Sequence, residues 1–114
     1  MPRFALLTHD FPFCHWDFLL ESDEACRTWR LLDDPENHGS VVAEALAPHR
    51  LLYLDYEGPV SGDRGAVTRI DSGPFDWLID QADLVEVALS GARIKSRVQI
   101  RRISGNEWVW ERLS

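Results

Sequence analysis

Residues 15–31 read HWDFLLESDEACRTWRL, and this stretch decides the fold class. From His15 to Glu21 the side chains alternate. His15, Asp17, Leu19 and Glu21 share one face, and Trp16, Phe18 and Leu20 share the other. A period of two belongs to a β-strand, whose successive side chains leave opposite faces. Ser22-Asp23-Glu24 has turn composition, and Ala25 to Leu31 returns as a second strand. A hairpin centred on Asp23 sets Cys26 opposite Leu20, far from Cys14.

The same pattern extends outward. Arg3 to Thr8 is a strand before the hairpin, and Val41 to Leu46 is one after the Asp33–Gly39 loop. Pro48 to Asp55 reads as a helical turn, with proline at its first position and Gly58-Pro59 as a stop. Ala66 to Ile70 is a strand closed by Asp71-Ser72-Gly73-Pro74, and Phe75 to Asp80 fits either strand or helical turn. Leu84 to Leu89, Arg93 to Ile103 and Glu107 to Leu113 complete the set. Seven or eight short strands with little helix predict a mainly β fold, a small antiparallel β-barrel with short helical turns. Closure would also remove exposed strand edges. The 114 residues fit a single domain over 1–114, with five Trp and five Phe to fill its core.

Bulk properties narrow the function classes. No apolar run is long enough for a transmembrane helix, and Met1-Pro2-Arg3-Phe4 leads into the first strand without a leader's apolar stretch. Cys14 and Cys26 do not make a disulfide framework, so both are read as reduced thiols of a cytoplasmic protein with no membrane partner. The net charge of −7 argues against broad nucleic-acid binding. Its distribution is uneven, however: net −11 over residues 1–90 and +4 over residues 91–114.

Three constellations could carry chemistry. His15 and Asp17 project from one strand face, and His9 ends the preceding strand. Two imidazoles and a carboxylate suit Mn, Fe, Co or Zn, although a solvated strand face reads the same way. His49 and Tyr53 are four apart, on one side of a helical turn. They could donate to a phosphate or move a proton, or be ordinary packing. Arg93, Lys95, Arg97, Gln99 and Arg101 alternate with Ile94, Ser96, Val98 and Ile100. That stripe could track a phosphate backbone or be a plain solvent face. His38 reads as a solvated loop residue, and Trp108 and Trp110 as core or barrel-wall packing rather than a base-stacking platform.

Taken together, these residues resemble a family. His9-Asp10, four residues, then His15-x-Asp17-Phe18-x-Leu20-Glu21 is similar to the signature of the 3′-phosphoesterase domain of bacterial DNA ligase D. His49-x3-Tyr53-x-Asp55-Tyr56-Glu57-Gly58 resembles that family's second motif. Gly62-x2-Gly65 looks like its glycine loop, with Val67 where a further glycine is usual. Asp71-Ser72-Gly73, Gly91 and Trp108 fall in matching order, so the resemblance runs from about Arg3 to Leu113. It implies a β-barrel enzyme of end-joining repair, in a stand-alone version. Such an enzyme removes a 3′-ribonucleotide and then a 3′-phosphate from DNA or DNA/RNA 3′ ends. His9, His15 and Asp17 would be metal ligands, and His49 and Tyr53 would be catalytic groups at the phosphate. The cofactor would be a divalent metal: Mn²⁺ first, with Zn²⁺ and Co²⁺ as further candidates. Separate ligase, polymerase or end-binding repair proteins are candidate partners. Arg93, Lys95, Arg97 and Arg101 are the candidate nucleic-acid contacts.

The departures from the family pattern are specific. Leu19 stands where the family has an arginine, on the face of His15 and Asp17. Ala47 replaces an acid, Asp33 stands near a usual lysine, and the family's N-terminal arm is not represented. A lost phosphate-binding arginine would cost on the order of 10² or more in rate. Arg27, Arg30 and Arg50 are candidates to replace it. A binding module that keeps the site without turnover, and an acidic adaptor with no site, are therefore alternative readings.

Overall fold

The hairpin over residues 15–31 is present and sits inside a closed sheet. The computed structural model describes residues 1–114. It contains β1 (Arg3–His9), β2 (His15–Ser22), β3 (Ala25–Leu31), β4 (Ser40–Arg50), β5 (Gly58–Pro59), β6 (Ala66–Asp80), β7 (Leu84–Leu89), β8 (Arg97–Ser104) and β9 (Glu107–Arg112). The strands run β1-β2-β3-β4-β9-β8-β7-β6, and β6 pairs back onto β1. Eight antiparallel strands therefore close a barrel, with β5 an extra short strand on the other edge of β6.

Burial explains why β1 reads as a nearly continuous apolar run. Phe4 and Leu6 point into the barrel with Phe18, Trp29, Trp110 and their neighbours. Ala5 and Leu7 point outward into a second, smaller cluster with Leu19, Cys26, Leu54 and Val67. A 3₁₀ turn, Leu51–Leu54, and the chain to Val60 cover that cluster. The wall is thus apolar on both faces here, and alternation gives way to a run.

Four local readings change. The β2–β3 turn has only two residues, because Ser22 pairs with Ala25, so Cys26 faces Glu21 rather than Leu20. Asp23 permits this tight turn at φ 56°, a left-handed conformation that Asp tolerates. Pro48 to Arg50 belongs to β4, since a bulge brings His49 into register with Cys26, and only residues 51–54 coil. Asp71 to Pro74 does not end a strand; β6 runs through it to Asp80, which also settles Phe75 to Asp80 as strand. Arg93 to Ser96 is not strand. The buried Asp71 carboxylate accepts the backbone N–H groups of Ser72, Ala92, Arg93 and Ile94 and holds that segment as a turn. Ile94 is buried in the barrel core as a result.

Both cysteines are free, Cys14 exposed and Cys26 buried. No helix is long and apolar enough to cross a membrane.

Candidate metal centre and its cleft

His9 and His15 end the β1–β2 pairing opposite each other, and Asp17 lies two residues further along β2. The period of two along β1 and β2 therefore places all three side chains on the outer face of the barrel wall, with Leu7 and Leu19. His9 Nδ1 is 3.4 Å from one Asp17 oxygen, and His15 Nε2 is 3.0 Å from the other. One ligand atom from each of the three residues falls within 4.8 Å of the other two.

The remaining ring nitrogens face backbone carbonyls. His9 Nε2 donates to Arg64 O at 2.8 Å, and His15 Nδ1 donates to Phe13 O at 2.8 Å. Each carbonyl can only accept, so each fixes a tautomer and directs a lone pair toward Asp17. His15 Nε2 and Asp17 Oδ1 are buried, and neither has a hydrogen-bond partner. Two adjacent orphaned acceptors in a dry site call for a cation or a proton between them. The set of two imidazoles and one carboxylate, with His9 still partly open to solvent, fits a divalent metal with free coordination positions.

The open side of this cluster is a cleft of about 440 Å³. His9 and Asp17 lie in its wall with His49 and Tyr53. His49 Nδ1 donates to Ala47 O at 3.1 Å, which leaves Nε2 with a lone pair. Its ring meets Tyr53 edge-on at 5.9 Å, and Tyr53 meets Tyr56 at 5.8 Å. The Tyr56 hydroxyl donates to Pro59 O. His49 thus rests on a chain of aromatic contacts anchored in the covering segment. His49 and Tyr53 meet as their spacing suggested, although a strand end and a 3₁₀ turn bring them together rather than one helical turn.

Leu19 is fully buried in the outer apolar cluster. Of the three arginines weighed as its replacement, Arg30 and Arg50 line the cleft. Arg27 instead bonds Asp80, Gln81 and Ala82. Arg64 is a cleft cation that sequence reading missed, although its position between Gly62 and Gly65 was a usable signal.

The basic stripe is elsewhere. β8 lies three strands from β1 by way of β6, and four from β2. Arg93, Arg97 and Arg101 face Glu36, Glu86 and Glu111. None of these arginines, nor Lys95, lines the cleft. His38 is exposed beside Asp33, and Trp108 and Trp110 belong to the barrel core.

The model of one protein family, described as the DNA ligase D 3′-phosphoesterase domain, matches residues 7–109. No curated protein matches the chain.

Proposed function

Because this chain belongs to the DNA ligase D 3′-phosphoesterase domain family, we propose that it is a metal-dependent phosphoesterase acting on the 3′ ends of DNA. The single observation that carries this is the pair of orphaned acceptors, His15 Nε2 and Asp17 Oδ1, beside the tautomer-locked His9 at the head of the cleft. A divalent cation held by His9 Nδ1, His15 Nε2 and Asp17 would supply Lewis acidity at a phosphoryl oxygen and acidify an attacking water. Mn²⁺ is the first candidate, with Zn²⁺ and Co²⁺ behind it; all three suit this donor set.

The chain's own groups have separate parts. His49 Nε2, in the cleft wall shared with His9 and Asp17, would take up the proton of the attacking water and return one to the departing oxygen. The Tyr53 hydroxyl can donate to a non-bridging phosphate oxygen. A cleft of about 440 Å³ falls within the usual range for small-ligand sites and suits one terminal nucleotide. The substrates would be a 3′-ribonucleotide and a 3′-phosphate, and the setting end-joining repair, beside separate ligase, polymerase or end-binding proteins. A cytoplasmic location agrees with two unpaired thiols.

The decisive assay is phosphate release from a 3′-phosphorylated oligonucleotide with Mn²⁺. Loss of one ligand in His9→Ala should slow release on the order of 10² or more. Equal rates for parent and variant would refute the assignment. A second reading is supported by Leu19, which supplies no donor to the phosphate. In that case the protein binds metal and DNA ends, and no phosphate is released.

A further inference from the structure

We propose that Arg30 is the residue that grips the substrate phosphate in this chain, in the role that Leu19 leaves open. The proposal rests on the phosphoesterase reading above and names the group that recognises its substrate.

The register supports it first. Leu7 pairs with Asp17, Asp17 with Arg30, and Arg30 with Glu44. These four residues form one row across the outer face of β1 to β4. Arg30 is therefore the direct cross-strand neighbour of the metal-site carboxylate, at the spacing where opposed side chains interact. A strand in a closed barrel holds such a group more firmly than a loop does.

The environment of the guanidinium supports it second. It lies over the Phe13 ring at 5.3 Å, and Phe13 meets His15 edge-on at 5.4 Å. The aromatic face orients the planar cation beside the cluster. Arg30 Nε is buried without a hydrogen-bond partner. Its nearest carboxylate, Glu44, is 3.7 Å from Nη1, too long for a good hydrogen bond. The guanidinium thus retains donors for a planar, bidentate acceptor such as phosphate.

The competing cations differ. Arg64 is engaged by the Ser61 carbonyl and hydroxyl. Arg50 is exposed at the cleft's rim, where it also borders the adjoining groove with Glu24. Both are exposed, and neither is in register with Asp17, whose strand partners are Leu7 and Arg30.

The test uses the full chain in chelator, so that no turnover intervenes. Affinity is measured for a DNA oligonucleotide ending in a 3′-phosphate and for its 3′-hydroxyl counterpart. Arg30→Gln should weaken binding of the first roughly ten- to hundredfold, the worth of a charged hydrogen-bond pair, with little effect on the second. Arg30→Lys should recover part of the loss. Glu44→Gln should tighten phosphate binding in the parent but much less in Arg30→Gln, a coupling that a merely structural Arg30 would not give. The proposal is overturned if Arg30→Gln keeps the preference, or if only Arg50→Gln or Arg64→Gln removes it. Should Arg30→Gln fail to fold, an unchanged preference in Glu44→Gln overturns it instead. If the parent releases phosphate with Mn²⁺ while Arg30→Gln binds normally, only this assignment fails. If the parent neither prefers the 3′-phosphate nor releases it, the phosphoesterase reading fails as well.

Discussion

His9 and His15 can each offer a lone pair to one point because a carbonyl occupies the other ring nitrogen. Asp71 works by a related logic elsewhere: one buried carboxylate satisfies four backbone donors around Gly91. Asp71→Ala should therefore cost roughly 3 kcal/mol or more in a denaturant titration, because several donors lose their partner at once. Cys26 gives a pH prediction. Burial first, and then the Glu21 charge, push its thiol up to about 11, with Arg3 opposing. The folded state thus holds this proton more tightly than the unfolded chain. The associated stability is full below the ordinary thiol range and is lost as pH rises toward 11. Cys26→Ser should flatten that decline in thermal melts between pH 8 and 11. In native protein, iodoacetamide should label the exposed Cys14 and leave Cys26 unmodified.

The elements that hold the site are short and pinned at their ends. Asp10 accepts the Ala66 N–H at 2.8 Å, which ties the glycine loop to the end of β1 and presents the Arg64 carbonyl to His9. Gly65 has φ +74°, and an added Cβ would lie 2.8 Å from Phe11 Cβ and closer still to the Asp10 carboxylate. Gly65→Ala should displace this loop and lower metal affinity about tenfold or more, the usual consequence of losing an orienting partner, with the barrel retained. Calorimetric metal titration beside circular dichroism would check both parts. Midway along the covering segment, Arg3 donates to Asp55 and holds that carboxyl below its usual range. The pair is solvent-exposed, so Asp55→Asn should change stability little and any effect should fade with salt. These elements also show what the sequence could reveal. β2 was legible because a period of two is a local property. Asp71 to Pro74 and Arg93 to Ser96 were not, because their conformations depend on each other across 20 residues and more. His49 was misplaced for the same reason: its strand partner Cys26 is remote in the chain.

The closed barrel separates two tasks. Its interior holds the aromatic core, and the outer wall of β1 to β4 carries the site beneath a short covering segment. The candidate ligands were legible as spacing plus family motif, but their position outside the barrel was not, since alternation alone does not say which face is inward. The same topology sets the basic stripe of β8 across the barrel, where acidic neighbours already face its arginines. Arg97→Gln and Arg101→Gln should therefore leave the preference for a 3′-phosphate end unchanged, with at most a small shift in the salt dependence of oligonucleotide binding. The proposed function stands on a metal held at the outer wall by His9, His15 and Asp17. The most direct measurement is a Zn²⁺ titration of chelator-stripped protein, followed by the ¹⁵N resonances of the histidine rings. Saturable shifts are expected at His9 Nδ1 and His15 Nε2, with the other two ring nitrogens staying protonated throughout. Unshifted resonances at both positions, or a response confined to the exposed His38, would contradict it.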